Sequence, residues 1–170
     1  MRRMKELRGL AIVDVSQGRR IGRADEVLIS PSSGRLLGFV MKGIGVLRRR
    51  ERVVEMADVR SIGPDAITVD DAAVAHSLRS APDDLRAARR GDRVLIGKRV
   101  VTQAGRVVGT VSDCMINEGR ARVSGLLLGS GLFGRGDMVS ADRILSIGPD
   151  AIVLAEGGRP ADPSQRPFAA

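Results

Sequence analysis

The sequence predicts an all-β protein built from two small β-barrels in tandem, which are joined by a helical linker. Three observations support this prediction. The heptapeptide SIGPDAI occurs at 61–67 and again at 146–152, both halves alternate short Val-, Ile- and Leu-rich runs with turn-forming stretches, and the segment between the halves is rich in Ala, Leu and Arg instead. A chain of 170 residues with 43% hydrophobic residues is large enough for two packed cores of this size.

The internal repeat extends well beyond the heptapeptide. Gly18, Gly22 and Gly38 recur with constant spacing as Gly105, Gly109 and Gly125. The spacing then shortens by one residue at the next glycine and by one more at the heptapeptide, so two single-residue deletions in the second copy explain the drift. The chain is therefore a duplicated unit of about 60 residues, a size at which a domain folds alone only marginally.

Each copy contains short runs of strand-forming residues that are separated by turn compositions such as SQGRR, SPSSGR and GPD. In the first copy the predicted strands are 11–15, 21–30, 35–42, 51–56, 59–62 and 66–69. In the second copy they are 98–102, 107–116, 121–128, 137–140, 143–147 and 151–154. Several short strands at such close spacing favour a small barrel or a sandwich.

The heptapeptide has the composition of a tight hairpin turn. Pro64 fixes φ at the first central position of the turn, and the side chain of Asp65 can bond to nearby backbone groups. The flanking residues Ile62 and Ile67 begin the two arms. The second copy repeats the same letters, so the sequence predicts the same turn in both units.

Four segments follow from these patterns. We predict a first barrel over 1–70, a helical linker over 71–91, a second barrel over 92–156 and a disordered tail over 157–170. The linker is poor in β-branched residues, Asp71 is suited to cap a first helical segment, and Pro82 is suited to the start of a second. The tail is dominated by Gly, Pro and polar residues, which favours disorder.

Short glycine-based motifs also recur in one order. The first copy has Gly22-x-Ala24-x-Glu26-Val27, Gly34-Arg35-Leu36-x-Gly38, Asp58-Val59 and Ser61-Ile62-Gly63, and the second has Gly109-x-Val111-x-Asp113-Cys114, Ser124-Gly125 and Ser146-Ile147-Gly148. This set resembles the PRC-barrel family of small β-barrels. One departure is Arg143, which stands where the first copy has Asp58. The resemblance implies an adaptor-like barrel, and we expect a non-enzymatic adaptor or scaffold that binds another macromolecule, with protein as the first partner class.

The residues with catalytic potential do not form a recognisable constellation. GSGLFG at 129–134 matches G-x-G-x-x-G, but the residues after it favour a strand where a nucleotide site needs a helix, so a barrel loop is predicted. His76 is the single histidine and lies among alanines. Cys114 is the single cysteine and aligns with Val27, so we expect a small buried hydrophobe. No catalytic residue, cofactor or metal is predicted.

The acidic residues that recur in both copies form two pairs. Glu26 corresponds to Asp113, and Asp65 corresponds to Asp150. The members of each pair belong to separate barrels, so the prediction for all four is structural hydrogen bonding at turns and strand edges.

The excess of basic residues supplies the candidate docking patch, which consists of Arg48, Arg49, Arg50 and Arg52. The formal net charge is +8. An RNA- or ribosome-associated factor that binds through this patch is therefore the alternative prediction, although aromatic residues for base stacking make up only 2% of the chain. Attachment to an anionic membrane surface is a third, weaker alternative.

The same composition predicts a cytoplasmic protein. The longest apolar run, Leu36–Leu47, contains Lys42 and is shorter than the roughly 18 residues that a membrane span needs. A single cysteine is compatible with a reducing compartment.

Overall fold

The computed structural model describes residues 1–42, 51–89, 95–129 and 137–156. The chain divides into two compact units. The first unit holds Lys5–Ile29 and Leu36–Arg89, and the second holds Met1–Met4, Ser30–Arg35 and the described part of 90–170. Strand β1 (Arg2–Arg3) and the short helix α1 (Met4–Leu7) open the chain. The predicted tail at 157–170 lies outside the described residues.

The described residues of the first unit form one sheet of seven strands. They are β2 (Ala11–Asp14), β3 (Arg19–Ile29), β4 (Leu36–Lys42), β5 (Arg52–Glu55), β6 (Val59–Ile62), β7 (Ala66–Val69) and β8 (His76–Ser77). Their order across the sheet is β6-β7-β2-β3-β4-β5-β8. Strands β2 and β7 run parallel, and every other pairing among the described residues of this sheet is antiparallel.

The second unit repeats this arrangement. Its strands are β9 (Arg99–Thr102), β10 (Val107–Asn117), β11 (Arg122–Leu128), β12 (Met138–Ser140), β13 (Ile144–Ile147) and β14 (Ala151–Leu154). They are ordered β13-β14-β9-β10-β11-β12, β9 runs parallel to β14, and β1 pairs with β10. Each of these strands has its counterpart in the first unit at the same place in the sheet. The shared strand order agrees with the duplication that the sequence predicts.

The predicted all-β class is confirmed, with two sheets and few helical residues. Each sheet is open in the part of the chain that the structure describes, because no pairing there joins the two end strands. Closure into barrels therefore stays a prediction. Within the predicted linker, the described residues form an α-helix, α2, only at Asp83–Arg89, and two 3-10 turns and strand β8 precede it.

Each sheet buries one set of alternating side chains in its own apolar interior. In β2 and β7 every second residue is buried, as a period of two along a strand requires. The largest buried side chains of the first unit include Phe39, Ile12 and Ile67. Those of the second unit include Leu126 and Ile152.

Both heptapeptides form the predicted hairpin turns. Strand β6 pairs with β7 so that Ile62 lies opposite Ile67, and Gly63 N donates to the Ala66 carbonyl at 2.8 Å. In the second unit, Gly148 N donates to the Ala151 carbonyl at 2.9 Å. The repeated letters therefore encode a repeated turn.

Candidate interaction surface

The structure describes one of the four arginines of the candidate docking patch. Arg48, Arg49 and Arg50 lie outside the described residues. Arg52 begins β5, is partly buried, and donates from its guanidinium to the carbonyl of Ala75. Its charge is thus directed at the chain segment that follows β7. The docking role of the patch stays a prediction.

His76 lies on β8 and not in a helix. Its ring Nε2 lies 3.0 Å from Oε1 of Glu55 on β5, and its Nδ1 lies 3.3 Å from the carbonyl of Ser77. Both side chains are only partly exposed. This histidine therefore helps to fasten β8 to β5, next to the contact that Arg52 makes.

Cys114 is fully buried on β10, as a residue that replaces valine should be. Burial, and secondarily the charge of Asp113, raises the pKa of the Cys114 thiol to about 12. The thiolate is the nucleophilic form, so this cysteine is unreactive in the folded chain at neutral pH. The prediction of a small buried hydrophobe is confirmed.

The recurring carboxylates have different local roles. Glu26 forms an ion pair with Arg89 of α2, in which Glu26 Oε2 lies 3.2 Å from Arg89 Nε. Asp113 is 5% exposed, and its Oδ1 accepts from the Cys114 backbone N at 2.9 Å. Asp65 and Asp150 are exposed at the two heptapeptide turns.

Asp14 has a structural role that the sequence analysis did not identify. It ends β2 and is fully buried. Its Oδ1 accepts from Ser16 Oγ at 2.6 Å and from Ser16 N at 2.8 Å, and its Oδ2 accepts from Ala72 N at 3.2 Å. These bonds, with that of the Ser16 hydroxyl foremost, lower the pKa of the Asp14 carboxyl. An aspartate two residues before a serine at the end of a strand run is a turn signal that could have identified it.

In the second unit a carboxylate also links the end of the first strand to the residues after the last strand, but here the carboxylate lies after the last strand. Glu156, after β14, accepts from Ala104 N at 3.1 Å. A side-chain hydrogen bond with Thr102 is the main cause that lowers the pKa of Glu156. The end of the first strand and the residues after the last strand are thus tied together in both units, by Asp14 in one and by Glu156 in the other.

Lys98 is the second buried charge that sequence reasoning missed. It is 9% exposed, and its Nζ donates to the carbonyls of Gly148 and Pro149 at 2.9 and 2.5 Å. These carbonyls belong to the second heptapeptide turn. The ammonium therefore holds a turn and is satisfied by backbone oxygens, as a buried cation must be. No repeat signal could identify it, because the strand registers place Leu10 at the equivalent position of the first unit.

The outer face of the first sheet is covered by the chain that follows β8. We use the name first outer face for Leu28, Val40 and Val53, which lie on β3, β4 and β5 and are at most 2% exposed. The residues that pack on this face come from the segment before and within α2, and they are Leu78, Ala81, Leu85 and Ala88.

The equivalent face of the second sheet is less well covered. The strand registers place Met115 where the first unit has Leu28, Leu127 where it has Val40, and Met138 where it has Val53. We call these three residues the second outer face. Met115 and Leu127 are partly exposed, and Met138 is 57% exposed. The same position in the fold is thus buried in one unit and at least partly exposed in the other.

The strands that border the two faces differ in the same way. In the first unit, β5 pairs with β4 on one side and with β8 on the other. In the second unit, β12 pairs with β11 on one side, and no described strand pairs with its other side. The backbone groups along that edge of β12 can accept a further strand.

Two further kinds of site, a metal site and a membrane-spanning helix, are absent from the described ranges. Among residues 1–42, 51–89, 95–129 and 137–156, no group of three or more His, Cys, Asp or Glu side chains is arranged to hold a metal ion. In the same ranges, no helix has the length and apolar character needed to cross a bilayer. The glycines of GSGLFG after Gly129 lie outside the described residues.

Comparison with known proteins gives one family match, which occurs twice. The family model described as the PRC-barrel domain matches residues 1–75 and residues 90–158. No curated protein matches the chain. The two matched ranges coincide with the two repeats of the sequence.

Proposed function

The chain belongs to the PRC-barrel family, in two tandem copies, and on this basis we propose that it is a non-enzymatic adaptor that binds another protein through the surfaces of its β units. PRC-barrel domains are generally protein-interaction modules and are generally non-catalytic. The observation that carries the proposal is the second outer face, beside an edge of β12 that has no strand partner among the described residues. Exposed apolar side chains beside a free edge are typical of protein-binding surfaces.

The described titratable groups support a binding role over a catalytic one. The buried charges of Asp14 and Lys98 are engaged with backbone groups that hold turns and strand ends. The thiol of Cys114 is buried, with its pKa raised to about 12. All three groups are buried within the fold.

The experiment is affinity capture with the intact, tagged chain in native lysate, with and without nuclease and at two salt concentrations. An adaptor retains the same partner protein after nuclease treatment, and it does so at both salt concentrations. If no partner protein is retained after nuclease treatment, the proposed function is wrong.

An RNA- or ribosome-associated role is the second candidate, and the observation that favours it is the net charge of +8. Binding to phosphate backbones releases counterions, so affinity falls steeply as salt rises. In the same experiment, this candidate predicts capture that is lost after nuclease treatment and at high salt. Capture that is independent of both excludes it.

A further inference from the structure

We propose that the second outer face binds a strand-plus-helix segment of a partner protein, namely a short extended strand followed by an amphipathic helix with basic residues. The chain itself supplies the template, because a segment of this kind covers the first outer face. The proposal rests on the adaptor function proposed above and adds the docking surface and the form of the partner.

The template uses main-chain pairing and apolar packing together. His76 and Ser77 extend the first sheet by pairing with Val53 and Arg52, and Leu78 N then donates to the carbonyl of Glu51 at 3.2 Å. The chain next passes over the sheet, where the side chain of Leu85 in α2 is buried and only 3% exposed. Strand addition supplies affinity through backbone bonds, and the apolar side chains supply specificity.

The second unit presents the same docking elements without a described occupant. Leu127 lies opposite Met138 in the register in which Val40 lies opposite Val53. The edge of β12 that corresponds to the β8 side of β5 has no strand partner among the described residues. A two-residue strand added there would bring the following helix over the second outer face, as β8 does for α2.

The composition of the second outer face suits binding from solution. Leu28 and Val53 of the first outer face correspond to Met115 and Met138 of the second outer face. Methionine has a flexible, polarizable side chain that adapts to a partner's shape and is common on surfaces that bind peptides. Replacement of branched residues by methionine is therefore consistent with an exchangeable occupant.

Charge specifies the partner further. In the template, Arg89 of α2 pairs with Glu26 at 3.2 Å and with Glu51 at 2.9 Å. In the second unit, exposed Asp137 stands where the first unit has Arg52. A carboxylate at the margin of an apolar face favours a partner segment with basic residues.

The chain's own C-terminal residues are a poor match to the template. Residues 157–170 contain no Leu, Ile, Val or Met, and Pro163 occupies the position that corresponds to Leu78. Proline has no backbone N–H, so it cannot make the bond that Leu78 N makes to the carbonyl of Glu51. We therefore assign the face to a segment from another protein.

The test uses the intact protein with ¹³C-labelled methionine methyl groups. The probe is a synthetic peptide with the sequence of residues 74–89, VAHSLRSAPDDLRAAR. The covalently linked copy keeps the first face occupied through its high effective concentration. We expect saturable shifts of the Met115 and Met138 signals below about 1 mM peptide, and no shift of the buried Met41 signal.

Matched variants separate the docking face from a general apolar effect. Met138→Asp weakens peptide binding at least about tenfold, as expected for a residue at the centre of an interface. Val107→Asp, at a side chain that is 51% exposed on β10, leaves binding unchanged. A peptide carrying Leu85→Asp produces no shifts. Both protein variants alter exposed positions, so both are expected to fold.

Several results would overturn the proposal. These are the absence of any methyl shift, shifts that persist with the Leu85→Asp peptide, and equal effects of the two protein variants. Changes in the Met138 signal on dilution would assign the face to a second copy of the chain. Changes after removal of residues 157–170 would assign it to the chain's own tail, and either assignment contradicts a partner protein.

The adaptor function and this docking mode fail separately. If affinity capture retains the same protein with the Met138→Asp bait as with the Val107→Asp bait, the adaptor function stands. The assignment of the second outer face as the docking surface is then wrong. If neither bait nor the unaltered chain retains a protein, the adaptor function itself is wrong.

Discussion

A matched pair of glycine substitutions tests how closely neighbouring strands pack in the two sheets. Gly38 on β4 and Gly125 on β11 occupy the same place in the two units. A Cβ added at Gly38 would overlap the carbonyl oxygen of Val54 and lie 3.1 Å from Glu55 Cα. A Cβ added at Gly125 would lie 3.0 Å from the carbonyl oxygen of Val139 and 3.3 Å from a side-chain carbon of Met138.

The two substitutions should differ in their cost in the free energy of unfolding. At Gly38 the backbone must move to admit a Cβ, whereas at Gly125 a tighter contact largely suffices. Overpacking of this kind costs about 1–3 kcal/mol, and replacing Gly by Ala returns about 0.4–1 kcal/mol by restricting the unfolded chain. We therefore expect Gly38→Ala to lower the free energy of unfolding by about 2 kcal/mol. For Gly125→Ala we expect about 0–1 kcal/mol.

Urea unfolding followed by far-UV circular dichroism measures both variants, because the chain has neither Trp nor Tyr for fluorescence. With a typical slope of about 2 kcal/mol per molar urea, the Gly38→Ala midpoint moves down by about 1 M. The methyl signal of Met41, which is fully buried, reports the first unit separately. Equal midpoints for the two variants, or a larger loss for Gly125→Ala, would contradict the closer backbone contact at Gly38.

Three further predictions concern the segment after β8 and two buried groups. Leu85→Ala exposes the first outer face and costs about 2–3 kcal/mol in urea unfolding, and an unchanged midpoint would contradict the packing of α2. The pKa of Asp14 is lowered in the folded chain, so its contribution to stability is present above the unfolded value near 4 and is lost as pH falls through the folded value. Asp14→Asn should therefore flatten the fall of the thermal midpoint below about pH 5, and an unchanged acid profile would argue against this role. Because the pKa of the Cys114 thiol is about 12, iodoacetamide should modify it only after unfolding, and rapid labelling of native protein would show that the thiol is accessible.

The repeated features of the fold could be predicted from the sequence because they are local. The turn at Pro64 and its second copy follow from the φ that proline imposes and from the flanking branched residues. The strands follow from alternating apolar runs, and the duplication predicted that both units share one arrangement. Cys114 was recognised as buried because the aligned residue is Val27.

The candidate surface could not be predicted in the same way, since it depends on what covers each sheet. The linker composition indicated a helix near Pro82, but it did not show that Leu78 and Leu85 pack on the first sheet. Exposure of Met138 becomes meaningful only after the strand register shows that it replaces the buried Val53. Long-range contacts of this kind leave no period or motif in the sequence.

Hydrogen–deuterium exchange of the intact protein compares the two strand edges most directly. Both units share one fold, but only in the first does a described segment cover the outer face and the edge strand. We expect amides of Met138–Ser140 to exchange at least about tenfold faster than those of Arg52–Glu55, and to slow when the peptide of residues 74–89 is added. Equal protection of the two strands without peptide would contradict the claim.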